Sequence, residues 1–198
     1  VSNKFRDPYV YELVYKITSS TSLKLYERLF WNKGKGLSHP KRFGDKIEYL
    51  FWFAKSGDFT INIDEMRVPY SESSLKRFKK PIKKRFNRTE GDEKVEYKDW
   101  GPNPKGALPS TLINIGSESK RISDNHIAVY PEKLSEYFIK GSTNEGDLVL
   151  DPFMGSGTTG VSAKKLKRSW IGFDSIEEYV NFANQRIEKV KVSDKMSQ

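Results

Sequence analysis

The sequence predicts an α/β fold, and three observations carry that prediction. An apolar run of strand length at residues 148–151 leads into a Gly-studded turn, a helix-forming segment and a second short strand that ends in an acid, a complete β-α-β unit. Two aromatic-rich, β-prone stretches at residues 23–31 (LKLYERLFW) and 46–54 (KIEYLFWFA) add further strands. Amphipathic helical patterns stand between and around them, and 198 residues suffice for one domain, or one domain with an insert, around a real core.

In chain order, residues 5–17 (FRDPYVYELVYKI) read as a helix starting near Pro8, with Val10, Leu13, Val14 and Ile17 on one packing face. The two aromatic strands follow, joined by a flexible basic loop (NKGKGLSHPKRFGD). Lys33, Lys35, His39, Lys41 and Arg42 lie in that loop with no acid among them from residue 33 to 42. Beyond about residue 60 the apolar content falls. Residues 76–88, KRFKKPIKKRFNR, hold eight basic side chains in thirteen, interleaved with Phe78, Ile82 and Phe86. Such a run reads either as a solvated face or as a phosphate-tracking surface, and the interleaved aromatics argue for partial order. WGPNPKG at residues 100–106 marks a rigid turn.

The second half carries the chemistry. HIAVYPEKLSEYFIK at residues 126–140 opens as a polar turn and becomes a helix from Pro131, with Leu134, Phe138 and Tyr137 inward. In LVLDPFMGSGTTG, residues 148–160, Gly155, Gly157 and Gly160 satisfy GxGxxG. Glycine there bends the chain tightly out of the strand and lets a ligand approach the main chain. The following helix, roughly residues 158–166, points its free N–H groups back at that ligand. Asp174 ends WIGFD, where a carboxylate accepts hydrogen bonds from ribose hydroxyls. Asp151-Pro152-Phe153 stands just before the loop, and its carboxylate would repel a pyrophosphate. It suits a cationic ligand without phosphates, and S-adenosylmethionine, with its sulfonium, ammonium and free ribose hydroxyls, fits that description. Residues 176–191 form a closing helix with Tyr179, Val180, Ala183 and Ile187 inward, and the last seven residues are expected to fray.

Composition narrows the partners. Lys plus Arg number 35 against 26 for Asp plus Glu, so the net charge of +9 points to an anionic partner, nucleic acid first. With no cysteine and only His39 and His126, neither a disulfide framework nor a His-based zinc site is expected. No apolar run approaches transmembrane length and no signal-type segment opens the chain, so the expectation is a cytoplasmic protein away from the membrane.

The string DPFMGSGTT resembles the cofactor loop of permuted, β-class DNA amino-methyltransferases, which methylate adenine N6 or cytosine N4 with S-adenosylmethionine. The resemblance implies a Rossmann-like methyltransferase sheet, permuted and here incomplete, with a basic target-recognition insert. Residues 1–60 would hold edge strands and a helix, 61–125 the recognition region and 126–198 the cofactor portion. Trp31, Lys33, Glu48, Phe51 and Lys55 fit the family's W-x-K and E-x-[IL]-x-[FW]-x-K edge strands, though the same aromatics would equally make a hairpin core. DEMRVPY at residues 64–70 and the PNPKG turn look like the adenine-specific, MboII-type members. Ile127 replaces the first proline of the family's H-P-x-x-x-P-E-K-L segment, which leaves Lys133 as either a cofactor contact or a surface lysine.

The cofactor contacts so implied are Asp151, Phe153, Gly155, Ser156, Gly157, Thr158, Asp174 and Lys133. The expected DNA contacts are Lys35, Lys41, Arg42, Lys79, Lys80, Lys83, Lys84 and Arg85, on double-stranded DNA of a restriction-modification system. The family also uses a DPPY-type loop to hold the target amino group beside a flipped base. The nearest string, Asp7-Pro8-Tyr9, lacks a proline, follows no apolar strand and stands only about twenty residues before the LFWNK strand. The chain therefore reads as the C-terminal portion of such an enzyme, a truncated gene product or half of a split enzyme, needing a DPPY-carrying second polypeptide and otherwise prone to form a homodimer. Two readings from other classes stand beside it. One is a non-catalytic DNA-recognition subunit that keeps its S-adenosylmethionine site. The other is an NAD(P) enzyme, disfavoured because fewer than thirty residues follow Asp174.

Overall fold

The computed structural model describes residues 8–34, 41, 43–44, 46–79, 102–116 and 129–192. Helix α1 (Tyr9–Ser20) starts directly behind Pro8, whose missing N–H costs nothing at a helix start. Val10, Val14 and Ile17 are half-buried, whereas Leu13, expected on the same face, is exposed. The spacing 10, 14, 17 makes a stripe too narrow to reach it. Pro8 and Tyr9 thus open a helix and do not end a strand; Asp7 lies outside the described residues.

Strands β1 (Lys24–Asn32) and β2 (Ile47–Ala54) pair antiparallel, as the two aromatic stretches predict, with Trp31 opposite Glu48. Alternation along β1 sends Leu29 and Trp31 to the core face and Phe30 to the other, where its ring meets Tyr49 at 5.6 Å. The short strand β3 (Leu112–Asn114) runs parallel to β1 on its other side, giving the order β2-β1-β3. Leu29, Trp31 and Ile113 meet Leu134 of helix α3 (Glu132–Ser142) in one core, with Tyr137 and Phe138 packed against it. Trp31 Nε1 donates to the carbonyl of Ile115 at 2.6 Å, which satisfies the indole inside that core.

The parts of 61–125 that are described do not stand apart. A 3-10 turn at Ile63–Met66 seats Met66 against Gly141 of α3, where a Cβ would lie 2.2 Å from the Met66 sulfur. The DEMRVPY and PNPKG segments join each other. Arg67 Nη1 donates to the Gly106 carbonyl at 2.8 Å, Val68 bridges to Ala107, and Gly106 takes φ +109, open to glycine alone because a Cβ would strike Val68 O at 2.4 Å. Helix α2 (Glu72–Phe78) is capped by Ser71, whose hydroxyl accepts from the Ser74 amide at 3.2 Å.

Strand β4 (Leu148–Asp151), helix α4 (Thr158–Lys165) and strand β5 (Ser169–Gly172) form the predicted β-α-β unit, with β4 and β5 parallel and in register from Leu148 opposite Ser169 to Asp151 opposite Gly172. Helix α5 (Glu177–Glu188) closes the unit by burying Ala183 and Ile187 against Met154 and Val161. Val180, expected inward, is exposed. It flanks the stripe made by 183 and 187, the i, i+4 pair that meets α4.

The arrangement of the strands completes the fold. Among the described residues the strands form two sheets, and α3 shares a core with the first and touches α4 of the second through Ser162 Oγ, which donates to the Glu132 carbonyl at 3.4 Å. β4 has a neighbour on one side only among those residues, and its outer face is apolar and open, with Leu148 57% and Leu150 59% exposed. Residues 193–198 lie outside the described residues.

Candidate cofactor site

The loop between β4 and α4 is shaped by its glycines, and they do different jobs. Gly155 (φ +51) and Gly157 (φ +80) both take the left-handed conformation that a side chain disfavours. A Cβ on Gly157 would sit 2.8 Å from Ala183 Cβ, and one on Gly160 would sit 2.5 Å from Ile187 Cδ1. Those two glycines let α5 close on the loop. At Gly155 a Cβ would meet nothing nearer than Phe153 O at 4.0 Å, so this is the glycine whose backbone is open to a ligand. At Gly157, the other glycine expected to admit a ligand, α5 fills the space on the Cβ side.

Asp174, at the end of β5, holds the loop directly. Its Oδ2 accepts the Gly155 amide at 2.9 Å and its Oδ1 accepts the Ile176 amide at 3.0 Å. Met154 tucks beneath the loop into the space left by Gly172, while Phe153 is 88% exposed. Asp151 turns its carboxylate along the loop: Oδ1 accepts the Phe153 amide at 3.0 Å and Oδ2 accepts the hydroxyl of Thr159. Thr159 shares a second hydrogen bond with the hydroxyl of Tyr130 at 2.5 Å. Because the Thr159 proton goes to Asp151, Tyr130 is the donor there. Burial, joined by the negative charge of Asp151, pushes the Tyr130 phenol above its ordinary value and keeps that proton in place.

Ser156 and Thr158 are buried, and their hydroxyls face Arg186 of α5 and not the open side of the loop. Arg186 Nη1 lies 3.0 Å from the Ser156 carbonyl and 3.1 Å from Thr158 Oγ1, while Nη2 reaches Glu132 Oε1 at 2.5 Å. Glu132 also pairs with Lys165. Burial works to raise the Glu132 carboxyl, but the hydrogen bonds and charges of Lys165 and Arg186 together hold it below its ordinary value. Lys133, beside it, is exposed. Sequence reasoning missed Tyr130, Glu132 and Arg186. Only the YPEK string hinted at the first two, and nothing local distinguished Arg186 from a surface arginine on an amphipathic helix.

The expected DNA contacts are less completely placed. Lys41 and Lys79 are exposed, Lys79 standing directly after α2. Lys35, Arg42, Lys80, Lys83, Lys84 and Arg85 lie outside the described residues. Lys33 forms an ion pair with Glu48 at 2.8 Å across β1 and β2. Among the described residues there is no group of acids and histidines able to hold a metal ion, and no helix is long and apolar enough to cross a membrane.

The chain is 34% identical over 197 residues to the type II methyltransferase M1.MboII of Moraxella bovis, spanning 96% of this chain and 72% of that protein. It is 34% identical over 177 residues to the orphan methyltransferase M.BamHII of Bacillus amyloliquefaciens, spanning 82% of this chain and 62% of that protein. The PvuII DNA methyltransferase, described as cytosine-N4-specific, superposes with a TM-score of 0.68 at 21% identity, over 99% of this chain and 61% of that one. M1.HpyAVI in complex with S-adenosylmethionine superposes with a TM-score of 0.59 at 24% identity, over 92% of this chain and 72% of that one. These likenesses make the fold the α/β, Rossmann-like fold of DNA methyltransferases. With the Asp-Pro-Phe strand exit, the open Gly155 and the latching Asp174 in place, and with the model of the DNA methylase family N6_N4_Mtase matching residues 3–185, this chain belongs to that family.

Proposed function

We propose that this chain binds S-adenosylmethionine at the β4–α4 loop and takes part in methylating an exocyclic amino group of double-stranded DNA, adenine N6 in particular, in the cytoplasm as part of a restriction-modification system. The observation that carries the reading is the loop itself, open at Gly155 and flanked by the carboxylates of Asp151 and Asp174. That pair of acceptor carboxylates suits a cation with free ribose hydroxyls and disfavours phosphates. Phe153, exposed beside the loop, offers an apolar ring for the adenine or methionine side, Asp174 a ribose acceptor, and the start of α4 its free N–H groups. Lys133 remains as the candidate contact from the neighbouring helix. The bound cofactor supplies an electrophilic methyl on a sulfonium. The adenine choice leans on the DEMRVPY and PNPKG segments and on the M1.MboII likeness, and cytosine N4, named for the PvuII neighbour, is the other outcome of the test.

The edge of β4 away from β5, which has no strand partner among the described residues, supports a second part of this reading. A strand that carries the family's DPPY-type loop, supplied by further chain or by a second polypeptide, pairs along β4, and without it the exposed edge favours self-association. Calorimetry should show binding of S-adenosylmethionine by the chain and no tight binding of NADH. Radiolabel transfer to mixed-sequence duplex should be at background for residues 1–198 and should rise, as N6-methyladenine, when the DPPY-bearing segment is added. Strong transfer by residues 1–198 alone would show that the catalytic layout is misread.

Region 61–125, with the loop 33–42, is assigned to DNA recognition. Replacing Lys79, Lys80, Lys83 and Lys84 with Gln should flatten the salt dependence of DNA binding, each true phosphate contact contributing roughly 0.9 to the log-log slope. An unchanged slope returns the run to a solvated face.

A further inference from the structure

We propose that Arg186 is a positioning residue of the cofactor loop: from the closing helix it locks the loop and the start of α3 into one unit, and so sets how well the loop receives its ligand. The inference rests on the S-adenosylmethionine reading and goes beyond it, since Arg186 touches no open part of the site.

The geometry is that of a fork with two targets. One nitrogen serves the loop, with the Ser156 carbonyl at 3.0 Å, Thr158 Oγ1 at 3.1 Å and Ser156 Oγ at 3.4 Å; the other serves Glu132 Oε1 at 2.5 Å, in the first turn of α3. Lys165, from the end of α4, holds the second Glu132 oxygen. Three helices therefore meet at one carboxylate. The arginine side chain is 16% exposed and the two hydroxyls are buried, so water competes poorly for these bonds.

Ala183 and Ile187 stand on the same face of α5 as Arg186 and fill the spaces at Gly157 and Gly160. The helix thus grips the loop by packing at two points and by charge at a third. Of these, only the charged contact also fixes Tyr130–Lys133, the stretch that faces the loop through the Tyr130–Thr159 bond. A lysine at 186 keeps the charge but cannot fork to both targets.

The test compares Arg186→Lys and Glu132→Gln with wild type in the full-length protein, with Trp31→Phe, in the other core, as the stability control. Hydrogen exchange without ligand should show the amides of residues 155–158 exchanging at least tenfold faster in Arg186→Lys and Glu132→Gln and unchanged in Trp31→Phe. Calorimetry with S-adenosylmethionine should show about tenfold weaker binding in the first two, with thermal midpoints within a few degrees of wild type. Arg186→Lys and Glu132→Gln combined should weaken binding little more than either alone, because both break one link. Unchanged exchange in residues 155–158 with a lowered thermal midpoint would overturn the proposal and make Arg186 a helix-docking residue. Wild type that fails to bind S-adenosylmethionine would overturn the functional reading instead, while the exchange result would still decide the clamp.

Discussion

Asp174→Ala is expected to weaken S-adenosylmethionine binding about ten- to a hundredfold while leaving the fold in place. The carboxylate does two things that alanine cannot. It accepts the Gly155 amide at 2.9 Å, which fixes the loop, and in the proposed site it is also the acceptor for the ribose hydroxyls. A charge-assisted hydrogen bond of this kind is worth roughly 1.5–3 kcal/mol, which is the expected loss of affinity. The remaining bond, from the Ile176 amide at 3.0 Å, is a local turn that water can replace, so the thermal midpoint should fall by only a few degrees. Asp174→Asn keeps one carbonyl acceptor and should fall between the two. Isothermal calorimetry beside thermal unfolding separates affinity from stability, and binding unchanged in the alanine variant would remove Asp174 from the site.

Gly157→Val and Gly155→Ala should fail in opposite ways. At Gly157 a side chain meets both a φ of +80 and Ala183, with Cβ 2.8 Å from its Cβ and 3.0 Å from its Cα. Left-handed strain costs about 1–3 kcal/mol and an overpacked contact about 1–3 more. Helix α5 must shift, and for a chain of this size the thermal midpoint should drop by roughly 5–15 °C. At Gly155 the φ is +51 but the space is open, so alanine costs about 1–2 kcal/mol of strain and little packing. Its methyl would instead enter the open side of the loop, where the proposed site places the ligand. Affinity for S-adenosylmethionine should therefore collapse in Gly155→Ala while stability is nearly kept. Equal losses of affinity at equal midpoints would mean that both glycines face the ligand.

The β-α-β unit, the aromatic strand pair and the helices from residues 9, 132 and 177 were legible in the sequence because each is set by local periodicity and by turn residues. Pro8 and Pro131 stand at helix starts, Gly155 and Gly157 at a strand exit, and the pattern around Ala183 and Ile187 repeats at helical spacing. The acid at the end of β5 and the Asp-Pro-Phe before the loop were legible for the same reason, since their chemistry follows from position in the unit.

What only the tertiary structure decided depends on residues far apart in the chain. Which glycine packs against a helix and which keeps an open Cβ side follows from Ala183, brought against Gly157 by a helix that begins twenty residues later. The turning of the Ser156 and Thr158 hydroxyls toward Arg186, and the meeting of Arg186, Lys165 and Glu132, come from the packing of α5, α4 and α3. Among the described residues the strands group as β2-β1-β3 and β4-β5, a pairing settled by what lies beside each edge, about which periodicity along a single strand is silent.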